Sequence, residues 1–125
     1  MQGFMTPPKH VYFRAKKLFG EMGRIVDGSV AYIELNGGGP TELHTQEHNH
    51  LFIVTEGEAR IQLGDETVII HKDETFLVEG RIPHSCWNNT DGMTKMIGIT
   101  GNDEKMEIVT MFAGENTKQP IGDSP

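Results

Sequence analysis

From Ala59 to Leu63 the chain alternates strictly, with apolar Ala59, Ile61 and Leu63 separated by polar Arg60 and Gln62. That period of two marks a strand with one face in a core and the other in water. Segments 28–35, 51–54, 67–71, 74–78, 84–88, 93–100 and 107–112 also have strand composition, rich in β-branched, aromatic and other apolar residues. Between them stand the turn signals Glu56-Gly57-Glu58, Gly64-Asp65-Glu66, Lys72-Asp73 and the stretch from Gly80 to Pro83. The run Asn36-Gly37-Gly38-Gly39-Pro40 reads as a turn or loop that closes the strand at 28–35. Residues 11–22 begin like a strand and end like a short helical turn, because Gly20 and Gly23 oppose a long helix. Strands at roughly ten-residue spacing, without strong amphipathic helices, predict an all-β single domain, a sandwich or a barrel.

Composition narrows the partners. In 125 residues, 18 acidic side chains face 11 basic ones, for a net charge of -7. Such a balance argues against nucleic acid or an anionic membrane, since Lys and Arg supply that attraction. Apolar runs such as 51–54 are far too short to span a bilayer. Cys86 is the only cysteine, so no intrachain disulfide forms and no cysteine cluster holds zinc. The first residues lack the basic start and apolar stretch of a signal peptide, so a cytoplasmic location is expected.

The six histidines change the picture more. His10 and His71 read as ordinary surface or hydrogen-bonded residues. His44, Gln46, His48 and His50 share parity, yet on a straight strand His44 and His50 would lie roughly 20 Å apart. Metal–nitrogen bonds are only about 2.0–2.1 Å for zinc, so a shared ion requires the chain to bend between them. Glu47-His48-Asn49 is polar enough to be that bend, with His48 exposed on it. His84, after Pro83 and opening the next apolar strand, is the natural distant partner. On spacing alone, a metal site and a set of unrelated histidines stay equally open.

Gly38, His44, Gln46, His50 and Gly57 are spaced as in Gly-x5-His-x-His-x3-Glu-x6-Gly, and this stretch resembles the first motif of the cupin superfamily. Residues 73–88 are similar to its second motif, Gly-x5-Pro-x-Gly-x2-His-x3-Asn, with His84 and Asn88 in register. Asp73, Glu79 and Arg81 stand where that motif has Gly, Pro and Gly. The resemblance covers about residues 28–112. It implies a jelly-roll barrel (a double-stranded β-helix) over 28–112, an N-terminal arm at 1–27 packing on the barrel or on a partner subunit, and a polar tail at 113–125. It also implies one divalent transition metal ion, zinc, manganese or iron, held by His44, Gln46, His50 and His84, with His48 as the alternative to Gln46.

Two of these ligands depart from the motif, Gln46 for His and His50 for Glu. The resulting set is neutral, so a divalent ion keeps its full charge, which favours an anionic ligand or acidifies a bound water. If His50 and His84 point inward, so do Phe52, Val54, Cys86 and Asn88, and Ile61, Leu63, Phe76, Val78 and Met96 complete an apolar lining. Met93, Met106 and Met111 read as core or interface packing, and Cys86 as an inert buried thiol. Leu51 and Ile53 have the opposite parity, so that strand is buried on both faces, by the N-terminal segment or by a second copy in a homodimer. Glu34, Glu79, Arg81 and Asn88 are candidate substrate contacts. The resemblance implies a metalloenzyme of dioxygenase, isomerase or lyase type acting on a small organic molecule; the alternative is a non-catalytic binding or sensing module.

Overall fold

The computed structural model describes residues 3–42 and 48–101. They form eight strands: β1 (Val11–Phe19), β2 (Ile25–Gly39), β3 (Asn49–Glu56), β4 (Glu58–Leu63), β5 (Glu66–His71), β6 (Thr75–Val78), β7 (His84–Asn88) and β8 (Thr94–Gly101). Among the described residues no helix is long and apolar enough to cross a membrane. The strand order is β5-β4-β7-β2-β8-β3-β6, with β1 added to β2, and every pairing is antiparallel. The path's two ends, β5 and β6, follow each other in the chain, so the sheet curls into a nearly closed jelly-roll barrel. The expected strand at 107–112 and tail at 113–125 lie outside the described residues.

β2 turns the corner between the two walls. Its first part, from Ile25 to Ile33, pairs with β8, whereas Gly38 and Gly39 pair with Trp87 and Cys86 of β7. The strand therefore runs through the glycine run that composition marks as a turn. The reason is steric: at Gly38 φ is +153°, and a Cβ there would strike the Trp87 ring and the Cys86 carbonyl. Gly57 has a comparable role in the β3–β4 hairpin, with φ +80° and the Thr94 hydroxyl and Met93 carbonyl against it. The helical turn expected before Met22 is likewise absent. β1 stays extended to Phe19 because pairing with residues of β2 satisfies its backbone, and an isolated bridge between Met22 and Ile25 closes the connection.

Alternation sends Ala31, Ile33, Val54, Ala59, Ile61, Ile70, Val78, Cys86 and Met96 into the barrel, where Phe52, Leu63 and Phe76 pack on them. This is the lining that parity predicts. Full burial of each larger side chain contributes about 1.5–3 kcal/mol, which makes this interior the main source of stability. Met93 is exposed rather than part of the core.

The outer wall is apolar as well. Val30, Ile97 and Ile53 lie in one cross-strand row, and Gly28, Ile99, Leu51 and Leu77 in the next. Leu51 is 9% exposed. The N-terminal segment reaches this wall, since the Phe19 ring lies where a Gly28 Cβ would stand.

Candidate functional site

His50, on β3, pairs with Val78 of β6 and Thr100 of β8; His84 opens β7 opposite Leu63 of β4. Strand alternation points both rings inward, and folding brings residues 34 positions apart into contact. His50 Nδ1 lies 3.2 Å from His84 Nε2. His84 Nδ1 lies 2.9 Å from the Ile82 carbonyl oxygen, to which it donates its N–H. That bond leaves His84 Nε2 with a lone pair, so the His50 Nδ1–H is the donor to it and His50 Nε2 also carries a lone pair. The Phe52 ring supports both imidazoles edge-on, 5.8 Å from His50 and 5.9 Å from His84.

This geometry suits a shared ion once the His50 proton moves to Nε2, which frees Nδ1 to bind beside His84 Nε2. Two nitrogens bound at about 2.0–2.1 Å to one octahedral or tetrahedral metal stand about 2.8–3.4 Å apart, a range that includes the separation found here. A histidine ligand also commonly donates its second N–H to a backbone carbonyl, as His84 does to Ile82. Burial pushes the His50 imidazole down to about 4, helped by the neighbouring charges of His84 and His48 and opposed by that of Asp27. His50 is therefore neutral near pH 7, the form that binds a metal. Among the described residues, no three His, Cys, Asp or Glu side chains converge on one ion position.

Beside His50 lies a cavity of about 180 Å³. Phe13, Ala31, Phe52 and Met96 give it apolar walls, and Asp27, Ser29 and Thr100 bring polar atoms to it. Its room traces to Gly98, which sits between Ser29 and Phe52 on the inner face and has no side chain to fill the row. Cys86 also lines it, its thiol 3.3 Å from Met96 Sδ. Burial pushes that thiol up to about 12, which makes it inert rather than nucleophilic.

The remaining sequence candidates divide clearly. His44 and Gln46 lie outside the described residues. His48 is half-buried rather than exposed, and close enough to bear on the protonation of His50. Asn88 is not a substrate contact: it is 7% exposed and fully engaged within the protein. Its amide donates to the carbonyls of Ile33 (2.9 Å) and Gly92 (2.7 Å), and its oxygen accepts from Thr90 N–H and Thr94 O–H (both 2.9 Å). Glu34 faces solvent and pairs with Arg14 at 3.3 Å, and Glu79 and Arg81 are exposed between β6 and β7. His71 is exposed against Glu58 and Glu74, as an incidental histidine should be, and His10 lies against the Pro8 carbonyl. Asp27, Ser29 and Thr100 escaped the sequence reading, although the parity of Ala31 and Ile33 places Asp27 and Ser29 on the inner face.

The family model described as a cupin domain matches residues 29–100. Comparison with curated proteins gives no match. Among solved structures, the polyketide cyclase RemF from Streptomyces resistomycificus is 20% identical, with TM-score 0.65 over 78% of this chain and 70% of that one. The cupin domain of an XRE family transcriptional regulator from Enterobacter cloacae is 15% identical, with TM-score 0.63 over 73% of this chain and 97% of that one. The Cnp3 cupin domain of Schizosaccharomyces pombe is 17% identical, with TM-score 0.65 over 93% and 72%. At these identities the likeness concerns the fold.

Proposed function

The chain belongs to the cupin family, and from that premise we propose that it binds one divalent transition metal in its barrel and takes a small organic molecule beside the ion. The observation that carries this reading is the 3.2 Å contact between His50 Nδ1 and His84 Nε2, with His84 anchored by Ile82. His50 and His84, within the described residues, would supply two ligands; His44 and Gln46 would complete the set by the motif spacing, with His48 the alternative to Gln46. Imidazole-dominated donors suit zinc or iron, with manganese by analogy to related barrels. An ion held there polarises an oxygen of the bound molecule or acidifies a water. The chain's own residues provide the apolar walls that exclude solvent, and Asp27, Ser29 and Thr100 orient polar groups.

Catalysis on the small molecule, of dioxygenase, isomerase or lyase type, is the first form of this reading, and likeness to a polyketide cyclase barrel supports it. Non-catalytic sensing is the second, supported by likeness to the cupin domain of a transcriptional regulator. A crystal structure with the metal identified by anomalous scattering separates them. An ion with an open coordination position facing the cavity supports catalysis, and a closed tetrahedral site refutes it. The apolar outer wall of β2, β8, β3 and β6 supports a homodimer formed through that face.

A further inference from the structure

We propose that Asp27 is the specificity-determining residue of the cavity, selecting a ligand about the size of one aromatic ring that carries a protonated amine. The inference rests on the barrel interior being a ligand site and concerns the metal-free barrel, since a divalent ion at His50 would oppose an ammonium at Asp27.

Asp27, Thr100 and His50 occupy one cross-strand row over β2, β8 and β3, and all three line the cavity. A register irregularity between Ile25 and Asp27, a β-bulge on β2, precedes Asp27 directly. Bulges re-aim side chains and favour the neighbourhood of binding sites. Among the described residues, Asp27 is the only carboxylate that lines the cavity, and no Lys or Arg lines it. None of the described cationic side chains lies within ion-pairing distance of Asp27, although Lys17 of β1 is in register with nearby Ser29. Among the described residues, then, no Lys or Arg neutralises its charge, which leaves it for a guest.

Size and wall chemistry set the rest of the class. A cavity of about 180 Å³ is close to the roughly 150 Å³ apolar cavities that admit benzene. Phe13 and Phe52 offer aromatic surface to the ring, and such surface also attracts cations. An ammonium placed at Asp27 gains a charge-assisted hydrogen bond in a partly desolvated site, with Ser29 and Thr100 as further acceptors.

The test titrates metal-free protein with benzylamine, benzyl alcohol and benzoate, followed by NMR shifts of the cavity residues. Benzylamine should bind about tenfold more tightly than benzyl alcohol, with benzoate weakest. Asp27→Asn should abolish the benzylamine advantage over benzyl alcohol, and Gly98→Leu should abolish ring binding altogether. Benzoate equal to or tighter than benzylamine in the wild-type protein overturns the proposal without need of any variant. Ring binding that Gly98→Leu removes, but with no preference for the amine, overturns the role of Asp27 and leaves the interior site standing. Benzylamine binding that survives Gly98→Leu, or no ring binding at all, overturns both.

Discussion

His50 and His84 hold nitrogens 3.2 Å apart, the spacing of two ligands on one ion. His84→Ala removes one of them and leaves its partner alone. Metal content after incubation with zinc, manganese and iron salts should then fall from about one ion per chain to background, by elemental analysis. Unchanged content in the variant refutes His84 as a ligand, and no metal in the wild-type protein refutes the site.

Stability should depend on pH through His50. In the unfolded chain this imidazole takes up a proton near its ordinary value of 6.5, but in the folded barrel only near 4. Above pH 6.5 both states are neutral and the stabilisation is complete. As pH falls from 6.5 to 4 the unfolded state binds the proton and the folded state does not, so stability is lost across that window. The metal-free protein should lose about 3 kcal/mol there. Burial lowers His10 as well and acts with the same sign, so the difference between wild type and His50→Gln isolates the His50 share. Parallel denaturation curves for the two proteins across that range would count against the assignment.

Asn88 is a structural residue despite its place in the metal motif. Asn88→Ala strips partners from the Ile33 and Gly92 carbonyls, the Thr90 N–H and the Thr94 hydroxyl. Chemical denaturation should show a loss of about 3 kcal/mol, with metal uptake preserved in the folded fraction. Wild-type stability with altered ligand binding would reverse this reading.

The row of Val30, Ile97 and Ile53 on the outer wall predicts self-association. Light scattering at micromolar concentration should give twice the chain mass of 13.9 kDa, and Ile97→Glu should return it to the monomer. A monomeric wild-type protein excludes a dimer through this face.

Burial of a residue on β3 or β7 was legible because alternation needs only local sequence. Phe52, Val54, Cys86 and Met96 point inward as their parity requires. The Asn36–Pro40 region was misread because glycine by itself signals a turn. What keeps Gly38 and Gly39 in a strand is the approach of Trp87, Cys86 and His10, which no local pattern records. The end of β1 was misread for the same reason, its conformation coming from β2. At the site, motif spacing marked His50 and His84, whereas Asp27, Ser29 and Thr100 carry no motif, and only strand pairing brings them together. Asp27 carries the parity of Ala31 and Ile33, and the alternation breaks only before it, at the bulge between Ile25 and Asp27.

In the sheet, β2 and β8 stand between β7 and β3, so the contact of His84 with His50 spans the lumen instead of following the hydrogen-bonded ladder. The pair is a cross-brace between walls that the backbone connects only the long way round. An ion gripping both imidazoles tightens that brace, and because the unfolded chain keeps the two residues apart, its binding energy becomes resistance to unfolding. Metal loading of this barrel would therefore read out as a rise in melting temperature, whether or not any reaction follows.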